Sequence, residues 1–350
     1  MNLLFQVTPD DRQFLPHLKG ILGGQHSVRL NDSTPITITE IEIRATAAKC
    51  KHVAVTNRRL LSRLLGRLDD RKQPTLDDYS GSIISRNGFE YLILNPVEHL
   101  ITTTHGKFLY ERYLSKFTQQ KRWFPTPNFS WEIATPARME YLYHQFLSAD
   151  FIAIDIETVK DDLSITCSGY CGIWIDRATN RIRFHSIVIP CRSEYELAWI
   201  GKFNTLPAPK IFQNGKYDNA YFARWGVPVR NWCYDTAHLF HSWYSELPKR
   251  LDFIVSFLVR NWEFWKSEAD VPIHSEAYYR YNAKDTFTTA LSFFCALLEM
   301  PEWALRNYQM EFPLVFPCHL AELTGIKVHA NNFQNLRDKI EERIASELGE

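Results

Sequence analysis

Phe151-Ile152-Ala153-Ile154-Asp155-Ile156-Glu157-Thr158 constrains this chain more than any other stretch. Five of its first six residues are apolar, which predicts a central strand buried on both faces. Asp155 and Glu157 interrupt that run two residues apart, so a strand would aim both carboxylates at the same face. Paired acids on a core strand repel each other and resist losing water, and they call for a compensating cation. A strand end drifting into solvent would also carry Asp-x-Glu without consequence. The pattern is short, so its meaning depends on what the rest of the chain brings to it.

At 350 residues there is room for two domains, and 23 Phe, 16 Tyr and 10 Trp indicate a well-packed globular protein. Lys and Arg together equal Asp and Glu at 40 each, so net charge points to no partner. The distribution is slightly uneven: residues 1–125 hold 18 basic against 12 acidic side chains. A basic front and an acidic back suit a nucleic-acid protein whose acidic part carries metal. Seven cysteines without a C-x-x-C predict free thiols in a reducing compartment, with Cys167 and Cys171 as buried strand residues rather than zinc ligands. No apolar run reaches the length of a membrane span, and the N-terminus resembles neither a signal nor a transit peptide, so a cytoplasmic location is expected.

Residues 1–125 read as a small α/β unit. His52–Val55 predicts a strand, Asn57 a cap, and Leu60, Leu61, Leu64, Leu65 and Leu68 a helix whose opposite side carries Arg58, Arg59, Arg63 and Arg67. That basic face is either solvated or a phosphate contact. Ile83–Leu94 predicts a hairpin turning at Asn87-Gly88, where positive φ is needed. Lys107, Phe108, Tyr110, Arg112, Tyr113, Lys116, Phe117, Lys121 and Arg122 interleave rings with cations. Such a stretch suits either a single strand of nucleic acid or an amphipathic helix with its rings turned inward. No catalytic pattern stands out here, and no dense acid cluster suggests a flap nuclease.

Pro125-Thr126-Pro127 marks the expected boundary. Beyond it, Thr135-Pro136 opens a predicted helix to about Leu147. Strands at roughly Ile165–Ile175 and Arg181–Ile189 then follow the organising one, joined by the turn Asp176–Asn180. Ser193 caps a helix to about Phe203, Lys210–Gln213 and Trp232–Tyr234 are short strands flanking a helix over 217–225, and the remainder is mostly helical. Three antiparallel strands, strand–helix–strand, then helices is the order of an RNase H-like mixed sheet, here of five strands.

Two further acids occur in suggestive settings. Asn214-Gly215-Lys216-Tyr217-Asp218 leaves the fourth strand, with Gly215 permitting an unusual turn and Asp218 in the first helical turn, favoured there by the helix dipole. Tyr281 and Asp285, four apart, share one face of a long helix predicted from about Ser275 to Leu298. Taken separately, each motif reads more readily as structural than as catalytic.

Together, Asp155-x-Glu157, Asn214–Asp218 and Tyr281-x₃-Asp285 resemble the proofreading 3′–5′ exonucleases of the DEDDy type. Gln213-Asn214-x-Lys216-Tyr217-Asp218 has the form found in family A DNA polymerases, those similar to bacterial DNA polymerase I and to many phage replicative enzymes, and Tyr234-Asp235-Thr236 with Leu251-Asp252-Phe253 fits the stretch between motifs. Met310–Val315 and Leu323–Val328 resemble the opening of the polymerase region, followed by a thumb-like helical stripe of Phe333, Leu336, Ile340, Ile344 and Leu348. The resemblance covers about residues 129–350 and divides the chain into 1–125, an exonuclease domain at 126–302, and the start of a polymerase region at 303–350.

That resemblance implies two Mg²⁺ or Mn²⁺ ions held by Asp155, Glu157, Asp218 and Asp285. Asp155 would bridge them, Glu157 and Asp285 would complete the water-activating site, and Asp218 would hold the second ion directly or through water. Tyr281 would orient the attacking water, since a phenol with a reference pKa near 10 is a poor base at neutral pH. Thr158, Asn214 and Lys216 would grip the terminal nucleotide and Leu163 would wedge against its base. The implied substrate is DNA with a single-stranded or frayed 3′ end, the product a nucleoside 5′-monophosphate, and the setting a bacterial or phage-infected cell. No palm-like motif occurs before Glu350, so the polymerase region would belong to the same longer chain or to a companion chain. Two other expectations compete: an idle exonuclease fold serving as a scaffold for a replication partner, and an RNase D-like RNA-trimming nuclease.

Overall fold

The computed structural model describes residues 3–6, 13–22, 28–31, 37–67, 74–118, 123–159, 163–179, 181–325, 327 and 329–348. Leu68, Lys121, Arg122, Asn180, Ile326 and Val328 lie outside the described residues. The chain divides into two compact units, Met1–Tyr308 and Gln309–Glu350.

The first unit opens with β1 (Leu3–Gln6), α1 (Leu15–Leu22), β2 (Val28–Asn31), α2 (Ile38–Ala47), β3 (His52–Val55), α3 (Arg58–Leu64), α4 (Leu76–Tyr79), β4 (Ile83–Arg86), β5 (Phe89–Ile93), α5 (His99–Thr102) and α6 (Gly106–Thr118). Its strands form a sheet in the order β2-β1-β3-β5-β4, parallel except for the β4–β5 hairpin. The hairpin turns where expected, with Asn87 at φ 50° and Gly88 at φ 79°. The Asn57 side chain caps α3 by accepting from the Leu60 amide at 3.2 Å. The basic, aromatic stretch forms helix α6 with Tyr110, Tyr113 and Phe117 buried, so its rings serve the core. Lys116 is buried as well, its ammonium donating to the carbonyls of Gly81 at 2.5 Å and Ser256 at 2.6 Å. The Arg112 guanidinium pairs with Glu299 at 2.9 Å. These contacts join the first sheet to the helices of the second.

The chain continues with β6 (Trp131–Ile133), α7 (Pro136–Phe146), β7 (Phe151–Thr158), β8 (Ile165–Asp176), β9 (Arg181–Pro190), α8 (Glu194–Asn204), β10 (Lys210–Phe212), α9 (Lys216–Arg224), β11 (Trp232–Asp235), α10 (Thr236–Trp243), α11 (Leu251–Leu258), α12 (Glu276–Glu299) and α13 (Glu302–Glu311). The second sheet runs β11-β10-β7-β8-β9-β6: an antiparallel β7–β8–β9 meander flanked by parallel β10 and β11. This is the RNase H-like arrangement, with one correction. The sheet has six strands, not five, because Trp131–Ile133 adds to the edge of β9, parallel to Ser186–Val188. Three residues after a proline-rich segment are too few to show an alternating pattern.

Two caps also differ from expectation. Thr135 and Ser193 stand at the helix starts, but neither side chain accepts a capping hydrogen bond. At α8 the Glu196 carboxylate instead accepts from the Arg192 amide at 2.7 Å and from the Ser193 hydroxyl at 3.3 Å. Cys167 and Cys171 are buried free thiols within β8.

The second unit holds α14 (Val315–Thr324) and α15 (Ala330–Leu348). Phe333, Leu336, Ile340, Ile344 and Leu348 are all exposed along α15. Among the described residues, no helix is long and apolar enough to cross a membrane.

Candidate metal centre on β7, α9 and α12

Helix α12 packs across β7, β8 and β9, and it carries its third-motif residues to the face of β7 that presents Asp155 and Glu157. Ligand oxygens of Asp155, Glu157 and Asp285 lie within 4.8 Å of one another. Asp285 is buried, whereas Asp155 and Glu157 are half-buried. Asp218 is buried in the first turn of α9 and stands apart from that trio. Its Oδ1 accepts the Ile156 amide at 3.2 Å, the peptide between the two β7 acids. The fold thus gathers the four acids beside β7, three around a common point and the fourth against the backbone between the two β7 acids.

Electrostatics follow from this crowding. Burial, then the carboxylates of Asp285, Asp218 and Glu157, hold the Asp155 pKa well above the usual range. Burial and Asp285 push Glu157 up to about 8. Burial leads again at Asp218, which rises to about 8 with Asp235 and Asp285 adding to it. Such a cluster wants positive charge.

Part of that charge comes from a residue the motifs do not include. The Lys266 ammonium donates to both Asp285 oxygens at 2.8 Å and to the Tyr281 hydroxyl at 3.0 Å. Burial alone would push this lysine down, but Asp285 and Tyr281 hold its pKa above the ordinary value. Beside it, the buried Trp265 indole N–H donates to Asp285 Oδ1 at 2.6 Å. Tyr281 is buried, and burial followed by the Asp285 charge raises its pKa, so the phenol stays protonated. Lys266 and Trp265 sit in a 3₁₀ turn and the residue before it, a segment without periodicity; only its Trp-Lys pair in an otherwise acidic region could have drawn notice.

Two buried polar side chains set the geometry. Asn282 Nδ2 donates to Asp155 Oδ2 at 2.8 Å, and its residue is fully buried. Opposite Asp155 in the β7–β8 register is Gly169, where a Cβ would stand 2.3 Å from Asn282 Oδ1. The missing side chain is what lets the amide reach the acid. Asp235, at the end of β11, is fully buried and accepts from the amides of Asn214 (3.1 Å), Gly215 (2.7 Å), Ala237 (2.9 Å) and His238 (3.3 Å). It caps α10 and pins the turn that delivers Asp218. That turn departs from expectation: the left-handed residue is Asn214 (φ 60°), while Gly215 is right-handed at φ −63°. Glycine is needed at 215 for space, since a Cβ would stand 2.5 Å from the Phe212 Cβ.

The other sequence candidates surround the β7 exit. The Thr158 hydroxyl meets the Tyr217 hydroxyl at 2.8 Å. Leu163 has φ 56°, and its carbonyl accepts from the Trp225 indole at 2.9 Å. The Asn214 side chain is exposed and Lys216 is half-buried at the start of α9.

No family model matches the sequence, and no curated protein matches it. Solved structures similar to the chain include the POL domain of Pol1 from M. smegmatis in complex with DNA primer-template and dNTP, at 14% identity and TM-score 0.46, covering 61% of this chain and 36% of that one. The catalytic core of RRP6 from Trypanosoma brucei is similar at 15% identity and TM-score 0.41, covering 54% of each chain. Escherichia coli RNase D, an exoribonuclease involved in structured RNA processing, is similar at 17% identity and TM-score 0.34, covering 53% of this chain and 50% of that one. The chain thus spans less than two thirds of each. These likenesses are remote, and the functional assignment rests on this chain's own residues.

Proposed function

We propose that the chain is a metal-dependent 3′–5′ exonuclease that releases nucleoside 5′-monophosphates from the 3′ ends of DNA. The observation that carries this is the trio of Asp155, Glu157 and Asp285 within 4.8 Å, with Tyr281 one helical turn from Asp285.

The donor set fits a hard divalent cation: every candidate ligand atom is a carboxylate oxygen, and burial together with neighbouring carboxylates raises the affinity of Asp155, Glu157 and Asp218 for positive charge. Asp155, Glu157 and Asp285 would hold one Mg²⁺ or Mn²⁺, and Asp155 with Asp218 a second. Bound there, such ions supply Lewis-acid stabilisation of an in-line phosphoryl displacement.

The chain's own groups do the rest. Asn282 fixes the rotamer of Asp155, and Trp265 fixes that of Asp285. In the ion-free protein the Tyr281 oxygen accepts from Lys266; the phenolic hydrogen takes no part in that bond and would orient water or a phosphate oxygen. Thr158, whose hydroxyl meets that of Tyr217 beside Glu157, would contact the terminal nucleotide. A duplex end must fray before its last phosphate reaches so recessed a set of acids, so single-stranded ends are the expected substrate.

We further propose that this activity is the proofreading part of a family A DNA polymerase, with residues 126–302 as the exonuclease domain, 303–350 as the start of the polymerase region, and 1–125 as an accessory domain. The motif form Gln213–Asp218 and the amphipathic helix α15 support it. The test is product analysis with Mg²⁺ on DNA and RNA oligomers of one sequence. Release of deoxynucleoside 5′-monophosphates, with RNA cut more slowly, is the expected result. Preference for RNA would turn the assignment to an RNase D-like trimming enzyme, and no release from either would leave a scaffold.

A further inference from the structure

Helix α9 begins at the metal centre with Asp218 and carries three aromatic residues at successive helical turns: Tyr217, Tyr221 and, just past its end, Trp225. Tyr217 is 45% exposed, Trp225 41%, and Tyr221 is half-buried. Residues four apart advance by only about 40° around a helix, so the three form one strip. The Tyr217 and Tyr221 ring centroids are 4.9 Å apart, and their hydroxyls meet at 3.2 Å. Both ends of the strip are braced, one by the last residue of β7 and the other by Leu163. Tyr217 bonds the Thr158 hydroxyl at 2.8 Å, and the Trp225 indole donates to the Leu163 carbonyl at 2.9 Å. Bracing accounts for the polar atoms of these side chains. It does not account for leaving Tyr217 and Trp225 each more than two-fifths exposed, which costs apolar burial.

We propose that Tyr217, Tyr221 and Trp225 form a stacking platform for single-stranded nucleic acid, engaging the bases of the second to fifth nucleotides from the 3′ end. The assignment rests on the nuclease reading for its polarity: the strip starts one residue before Asp218 and leads away from the acids. Its length suits the occupant. Eight residues at about 1.5 Å rise give about 12 Å, close to three or four nucleotide steps at a stacked spacing of about 3.4 Å. Rings stack on any base, so the platform is indifferent to sequence, as an enzyme trimming successive residues requires. Hydrogen bonds at both ends hold the rings in place before the ligand arrives, which limits the entropy lost on binding.

The test is fluorescence anisotropy of 5′-labelled oligothymidylates of two, four and eight nucleotides, read on the full chain with Ca²⁺ replacing Mg²⁺, alongside cleavage in Mg²⁺. Affinity is expected to climb with length in the unmodified protein. Tyr221→Leu and Trp225→Leu should each weaken octamer binding by roughly fivefold or more while leaving the dinucleotide unchanged. Tyr221→Phe and Trp225→Phe, which keep a ring but lose the polar atom, should bind like the unmodified protein. An octamer with abasic second to fifth nucleotides probes the same contacts without any variant and should lose affinity to a similar degree. Equal binding of the abasic and intact octamers, or equal loss in the Phe and Leu variants, would overturn the platform. Length-dependent binding without cleavage would instead sink the nuclease reading and leave the platform standing.

Discussion

Lys266→Met tests how the acid cluster is balanced. The ammonium lies 2.8 Å from both oxygens of Asp285, whose side chain is 5% exposed, while the lysine side chain is 28% exposed. Removing one partner of a fully buried pair costs about 3–5 kcal/mol, and an exposed pair is worth about 0–1 kcal/mol. The lysine's access to water puts this pair between them, at about 2 kcal/mol. Methionine keeps the stem that packs near the Trp265 and Tyr281 rings, so the loss is chiefly of charge. A divalent ion about 4 Å from the ammonium would be repelled by up to about 8 kcal/mol at an effective dielectric constant of about 20, more than the lysine contact is worth. Lys266 should therefore swing out when an ion enters. The thermodynamic cycle then closes: the roughly 2 kcal/mol lost from the ion-free protein reappears as tighter ion binding, about thirtyfold. Thermal unfolding in chelator reads the first half, and titration with Mn²⁺ followed by electron paramagnetic resonance reads the second. A lowered melting temperature with unchanged or weaker Mn²⁺ affinity would refute the competition.

Other expectations follow from the same geometry. Gly169→Ala places a methyl 2.3 Å from Asn282 Oδ1 and 2.8 Å from Thr286 Cγ2, so it should cost about 1–3 kcal/mol in denaturant unfolding and also weaken Mn²⁺ binding by displacing the amide from Asp155. Asp235→Ala leaves four amides without their acceptor and should destabilise by about 2–4 kcal/mol, with activity falling further than stability because the Asp218 turn loses its anchor. Glu157 and Asp218, both raised to about 8, bind more protons folded than unfolded between about pH 4.5 and 8. The chelated protein should thus lose stability as pH rises through that window, and Mn²⁺ should abolish the loss; a melting temperature flat from pH 5 to 8 would contradict the crowding.

The sheet order was readable because β7, β8 and β9 are long and strongly apolar, and the chain punctuates them with clear turns. Strand β6 was hidden because three residues cannot display a period. The acids and Tyr281 were legible through their types and spacing, since strand and helix repeats dictate which side chains share a face. The roles of Lys266, Trp265, Asn282 and Asp235 were not, because each acts across the fold: Lys266 is 19 residues from Asp285, and Asn282 is 127 from Asp155. Local pattern carries no trace of such partnerships. The basic, ring-rich stretch of α6 illustrates the opposite limit, where two readings shared one pattern and only burial separated them.

The central claim is that acids scattered from position 155 to position 285 act together to hydrolyse the last phosphodiester of a strand. A single-stranded DNA labelled at its 5′ end, incubated with the protein and Mg²⁺, tests it most directly. The expected result is a ladder shortening one nucleotide at a time from the 3′ end, lost in Asp155→Ala and in chelator. A strand left intact, or a ladder that persists in Asp155→Ala, would contradict it.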